Sequence, residues 1–225
     1  MAKAKDLIVK VIPSRIANVF VKKHHYSGKV VSNSQLHFGV FMGGLLHGVM
    51  SFGPSTVKAN LIGLVENTGW NEFIELNRMA FDEVLPKNSE SRAIGVALRI
   101  IRKQAPHIKW VVSFADGTRC GDGTIYRASG FLLTQIIKNR GILVDHNGNA
   151  FSRVTFTAHR PNEKHLFKKM KLIEGFQLRY IYLLDKNAKL TVPVIPFSRI
   201  QEIGASMYKG KRPVDSIVAN AEKSD

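Results

Sequence analysis

Cysteine is almost absent: only Cys120 carries a thiol in a chain of 225 residues. That excludes an internal disulfide and any multi-cysteine zinc site, and it fits a reducing compartment. Long apolar runs are missing too. No stretch approaches the roughly 20 apolar residues that a membrane span needs, and the opening MAKAKDLIVKV has no uninterrupted segment of signal-peptide length. A soluble, cytoplasmic protein without membrane contact is expected. Acidic residues are scarce, with 17 Asp and Glu against 33 Lys and Arg, giving a formal net charge of +16. Such an imbalance points to a polyanionic partner, nucleic acid ahead of an anionic membrane surface. The bland alternative is a ribosomal or merely solubilised surface. No internal repeat is visible. What remains is a globular composition, 44% hydrophobic, long enough for one domain or one and a half around a real core.

Leu7 to Ile12 suits a first strand, and Pro13 opens a helix with Ile16, Val19 and Phe20 on one face. The helix ends in Lys22-Lys23-His24-His25-Tyr26-Ser27-Gly28. Two apolar runs follow, Gln35–Met42 and Leu45–Phe52, and the Gly43-Gly44 pair between them predicts a tight hairpin. Residues 55–70 read as a partly helical loop. Phe73–Phe81 alternates as a half-buried strand, and Arg92–Arg102 carries Ile94, Ala97, Leu98 and Ile101 on one helical face. Trp110–Phe114 is a short β-rich run stopped by Ala115-Asp116-Gly117. A helix with Ile125, Ala128 and Ser129 on one side leads to Gly130, and Phe131-Leu132-Leu133 returns to the sheet. This alternation demands a mixed α/β sheet covered by helices. Beyond Ile137 the pattern loosens into a basic segment, residues 138–180, with Arg153, Arg160, Lys164, Lys168, Lys169, Lys171 and Arg179. Tyr180–Leu184 is the last strand. The expected division is a catalytic domain over 1–185 and a basic extension over 186–225, poorly ordered on its own and carrying Lys209, Lys211 and Arg212.

Several residues in this frame can carry chemistry. Ser91-Arg92-Ala93-Ile94-Gly95-Val96-Ala97 follows a strand and opens a helix. Backbone N–H groups at a helix start bind phosphate, and a glycine lets the ligand come close, although the same glycine serves helix packing equally well. Asp116 ends a central strand, where open α/β sheets put ligands, yet Asp-Gly is also common turn chemistry. His24-His25-Tyr26 is either a solvated basic surface or the acceptor side of a site. Cys120 has no activating partner nearby in sequence and reads as inert.

The strand–helix–strand stretch ending in IYRASGF and the Arg-x-x-Gly-x-Ala segment resemble the GNAT acetyltransferases. That likeness implies a GNAT-like fold, coenzyme A phosphates at Arg92, Gly95 and Val96, and a tyrosine, Tyr126, that protonates the departing thiolate. KKHHYSG, ELNRMAF and SFADGTRCGDGTIYRASGF occur in that order on a strongly basic chain. The combination resembles the Mom family of phage DNA-modification proteins over roughly residues 7–185. The resemblance implies conversion of adenine in double-stranded phage DNA to N6-(methylcarbamoyl)adenine with acetyl-coenzyme A, in the host cytoplasm, protecting the DNA from host restriction. It implies catalytic roles for His25, Tyr26, Asp116 and Tyr126, and places Arg78 and Ser91 near acetyl-coenzyme A. It also brings iron, for which His25 and Asp116 with a tyrosinate would form a hard-ligand set. A homodimer stays open. The alternatives are a conventional GNAT enzyme acetylating a protein or small amine, and a GNAT-shaped nucleic-acid-binding protein without catalysis.

The implied chemistry is demanding. An adenine amine has its lone pair delocalised into the ring and is stacked and paired in duplex DNA, so the base must be flipped out and held in line with its electrophile. Asp116 or His25 would orient or deprotonate the amine, and Tyr126 would serve as acid. Acetyl transfer alone gives N–CO–CH3. A methylcarbamoyl group attaches through its CH2 and ends in an amide, so two bonds differ and a nitrogen is added; general acid–base work does not explain that change, whereas a bound iron would.

Overall fold

The computed structural model describes residues 3–153, 156–157 and 160–211. The chain forms two compact units, one of Met1–Phe114, Thr124–Thr134 and Arg179–Ile195, the other of Ala115–Gly123, Gln135–Leu178 and Pro196–Asp225. Its class is mixed α/β, as the sequence implied. In order run β1 (Ile8–Val11), α1 (Ser14–His24), β2 (Leu36–Met42), β3 (Leu45–Gly53), α2 (Lys58–Leu61), β4 (Phe73–Phe81), α3 (Ser89–Gln104), β5 (Trp110–Asp116) and α4 (Thr124–Ala128). They are followed by β6 (Leu132–Lys138), β7 (Ile142–Val144), β8 (Ala150–Ser152), β9 (Lys171–Leu172), β10 (Phe176–Leu183) and α5 (Ser198–Glu202). The main sheet has the strand order β1-β2-β3-β4-β5-β10-β6. Strands β1 to β4 pair antiparallel, and β4 pairs parallel with β5.

The expected hairpin is present, because Gly43 and Gly44 hold φ of 58° and 83° and so supply the two left-handed residues of a two-residue turn. The first helix forms where expected but turns a different face inward. Ala17, Phe20 and Val21 are buried against Ile12, Val49 and Ala80, whereas Ile16 and Val19 are exposed. Both stripes have i, i+3, i+4 spacing, so periodicity alone cannot choose between them. The small Ala17, fully buried, lets the helix come close to the sheet.

Helix α3 starts at Ser89, ahead of the Arg92 predicted from sequence. Asn88 takes a left-handed φ of 69°, and the Ser89 hydroxyl donates to the Pro86 carbonyl at 2.6 Å. The buried stripe is otherwise the expected one, Ile94, Ala97, Leu98 and Ile101, with Ala93 added. In α4 Tyr126 is the buried residue, and Ala128 is exposed. Behind β4 and β5, Leu61, Leu64, Val65, Phe73, Trp110, Val112 and Ile181 form one core cluster. Ala188, Leu190 and Val192 pack on it, and the Thr191 N–H donates to the Leu64 carbonyl at 3.0 Å.

The second unit holds an antiparallel sheet, β8-β7-β9, that the sequence did not announce. The ring of Phe156 meets those of Phe151 and Phe167 at 5.7 and 5.1 Å. Asn139 ties the chain together, donating to the carbonyls of Ile142 and Ile173 and accepting from the N–H groups of Gly141 and Ile142. Ile200, Ala205 and Met207 are buried, while Arg212 and the rest of the tail lie outside the described residues. No helix among the described residues is long and apolar enough to cross a membrane.

Candidate functional site

The site begins with an interrupted ladder. Parallel β4 and β5 pair only at Phe73–Trp110, Ile74–Val111 and Glu75–Val112. Past that point the Ser113 hydroxyl donates to the Leu76 carbonyl at 3.3 Å, and among the described residues the main chain of β4 on this side has no further strand partner. An extended ligand bearing amides can take that place by strand addition. Glu75 stands at the fork. Burial pushes its carboxyl up, against hydrogen bonds from Ser55 and Asn77 that pull it down.

A cavity of about 640 Å³ opens at the first turns of α3. Ser91, Arg92 and Gly95 line it, together with Lys5, Asn88, Arg99, Arg102, Ser129 and Tyr182. Four cations and, among the described residues, no carboxylate line it, an arrangement that suits an anion. The Arg92 guanidinium donates to the Lys5 carbonyl at 3.3 Å, and Arg102 donates to the Leu184 carbonyl at 2.9 Å and to the Tyr182 hydroxyl at 3.3 Å. Those tethers hold the planar groups in place without neutralising them. Because the helix starts early, the Arg92 N–H is already used by the Asn88 carbonyl at 3.1 Å. Side chains therefore supply most of the positive charge, and the motif is not a free loop of backbone donors. A Cβ on Gly95 would meet only Arg99 Nη1, at 3.8 Å, so glycine there keeps the cavity open. Val96 does not line the cavity. Arg99 and Arg102 were missed in the sequence, although they continue the spacing of Arg92 and Gly95 on one helical face.

His25, Tyr26 and Arg78 come together elsewhere in the first unit. The Ser27 N–H donates to His25 Nδ1 at 3.1 Å, and the Ser27 hydroxyl lies 2.8 Å from the same nitrogen. A neutral imidazole held this way carries its proton on Nε2 and donates there. The half-exposed Tyr26 ring leans on it at 4.4 Å. Arg78 donates to the Lys29 carbonyl at 3.0 Å, fastening this loop to β4. Arg78 therefore sits with the histidine loop and is not among the residues lining the arginine cavity.

Tyr126 is buried among aromatic rings, Tyr180 at 5.3 Å and Phe131 at 5.5 Å. In the second unit Asp116 Oδ1 accepts the N–H groups of Thr118 and Arg119 at 3.0 and 3.1 Å, and Arg119 Nε lies 3.4 Å from Oδ2. The turn is clamped from outside, since a Cβ on Gly175 would meet Thr118 Cα at 2.5 Å. Asp116 thus builds its turn and is held in one rotamer by it. Burial, with the Asp116 carboxylate nearby, pushes the Cys120 thiol up, which agrees with an inert side chain.

The expected iron set does not assemble. Among the described residues no three His, Cys, Asp or Glu side chains gather where an ion could be held. Arg179, counted in the basic segment, is also reassigned: it is buried, and its Nε donates to Thr134 Oγ1 at 3.0 Å.

A model of the Mom protein family matches residues 6–199. The methylcarbamoylase mom of Escherichia phage Mu is 36% identical over 193 residues, covering 83% of this chain and 79% of that protein. Among solved structures, an N-acetyltransferase from Staphylococcus aureus Mu50 is similar at a TM-score of 0.48 and 9% identity, over 80% of this chain and 99% of that one. The ribosomal-protein-S18-alanine N-acetyltransferase of Escherichia coli is similar at 0.47 and 10%, over 80% and 97%.

Proposed function

Because the chain belongs to the Mom protein family, we propose that it is a transferase that modifies adenine in phage DNA. Its product is N6-(methylcarbamoyl)adenine, its acyl source acetyl-coenzyme A, and its benefit to the phage is protection from host restriction. The observation that supports this reading best is the arginine-lined cavity on α3. Coenzyme A presents a pyrophosphate and a ribose phosphate, and Arg92, Arg99, Arg102 and Lys5 offer cations without a competing carboxylate. The interrupted β4–β5 ladder suits the amides of the pantetheine arm.

The side chains have separable duties. His25, with its proton on Nε2, orients the acceptor as a hydrogen-bond donor, and Arg78 keeps that loop on β4. Asp116 accepts from the exocyclic amine and draws off its proton. Tyr126 delivers a proton to the departing thiolate from a dry aromatic setting, where its hydroxyl is little solvated. The amide nitrogen of the product enters from a second donor. Joining the adenine nitrogen to the acetyl methyl carbon also replaces a C–H bond by a C–N bond, a two-electron oxidation whose oxidant is a separate reactant and not one of these acid–base groups.

Nucleoside mass spectrometry of DNA from cells expressing the protein tests the reading. A modified deoxyadenosine, lost in a Tyr126→Phe variant, is the expected result. Unmodified DNA beside newly acetylated protein would overturn it in favour of a conventional acetyltransferase.

A further inference from the structure

A second cavity in the first unit, about 530 Å³, is used by none of these steps. It is lined by Ser55, Thr56, Asn60, Trp70 and Asn71 around Lys58. Trp70 is 55% exposed, whereas the chain's other tryptophan, Trp110, is fully buried and stacked on Phe73 at 4.2 Å. Lys58 is buried, with Nζ 5.1 Å from the Trp70 ring and 5.3 Å from the Phe73 ring. Its hydrogen-bond partner is the amide oxygen Asn71 Oδ1 at 3.4 Å, and among the described residues no carboxylate lines the cavity. Burial pushes its ammonium down, and an arriving anion would favour the charged form.

An open aromatic face, a cation without a counter-ion, and a rim of hydroxyls and amides meet here. A flat, hydrogen-bonding ring linked to a phosphate satisfies all three at once. On a chain of net charge +16 the polymer of such units is nucleic acid. We propose that this cavity binds an unstacked nucleotide of locally opened DNA, its base stacked on Trp70 and its phosphate at Lys58. The choice of DNA rests on the proposed function; none of the residues lining the cavity has a duty in that reading.

The test uses a labelled short oligothymidylate, which contains no adenine to be modified. Binding is followed by anisotropy and by tryptophan emission, to which the stacked, buried Trp110 contributes a constant background. The expected result is quenching in step with binding. Trp70→Ala should weaken the oligomer roughly 5- to 150-fold, while Trp70→Phe, which keeps a stacking face, should bind within about threefold of the parent. Lys58→Gln should flatten the slope of log affinity on log salt by roughly 0.7, one phosphate contact on a single strand. Oligomer bound without quenching, or bound equally by Trp70→Ala, would overturn the proposal. So would the same quenching by acetyl-coenzyme A alone with displacement of the oligomer, since the adenine of the cofactor would then own the cavity. Modified DNA without quenching would sink this site and spare the proposed function; quenching with unmodified DNA would do the reverse.

Discussion

Asp116, Tyr126 and Glu75 each separate shape from charge under a single substitution. Asp116→Asn keeps an oxygen to accept the Thr118 and Arg119 N–H groups, so the turn should survive while the charge is lost. DNA modification is expected to fall roughly 10²–10⁴-fold with the melting temperature nearly unchanged. Near-normal modification would reduce Asp116 to a turn former. Tyr126→Phe removes only a hydroxyl from a packed aromatic group, and the same fall in rate with an intact fold is expected. Glu75 makes a pH prediction. A carboxyl whose value is raised in the folded protein favours folding while protonated, and that contribution fades as pH climbs from the ordinary carboxylate range through the raised value. Glu75→Gln should therefore gain stability relative to the parent as pH rises toward neutrality and lose that advantage in acid. A difference in melting temperature that does not change with pH would show that Glu75 titrates normally.

Helix α3 carries the next prediction, because five of its residues line one cavity. Gly95→Glu places a carboxylate beside Arg99 and should abolish binding of acetyl-coenzyme A in calorimetry, without unfolding a helix that glycine itself weakens. Unchanged affinity would return Gly95 to a packing role. The same helix shows what sequence can convey. Its buried stripe was legible, since apolar spacing records which side meets the sheet, and Ser91, Arg92 and Gly95 do line one cavity. Arg99 and Arg102 carried the same signal and were passed over because they fall outside the short motif. The inward face of α1 was not legible, because Ile16, Val19 and Phe20 obey the spacing as well as Ala17, Phe20 and Val21 do, and only the partner surface decides. Strands of two or three residues, such as β7 to β9, complete too little of a period to register. Charge counts mislead in a related way, for Arg179 looks like surface and is spent on Thr134.

Over the whole molecule the excess positive charge should dominate DNA affinity, which is expected to fall linearly in log salt, by roughly 0.9 in slope per phosphate contacted. Reversing Lys168, Lys169 and Lys171 should flatten that line if the exposed basic segment touches DNA; an unaltered slope would move the contacts elsewhere. Arg179→Ala should leave the slope alone and instead cost stability, about 1–3 kcal/mol for the buried hydrogen bonds to Thr134 that are lost. The order of the main sheet has a consequence in time. β10 lies between β5 and β6, yet it is synthesised after both. A nascent chain that has not reached residue 176 holds two open strand edges where the finished protein has neither, and each is a template for a neighbouring chain. Closure must await the last strand of the sheet, so a ribosome stalled in the small β7–β9 region would release a sticky fragment. Output of active protein should thus depend on uninterrupted translation through that stretch.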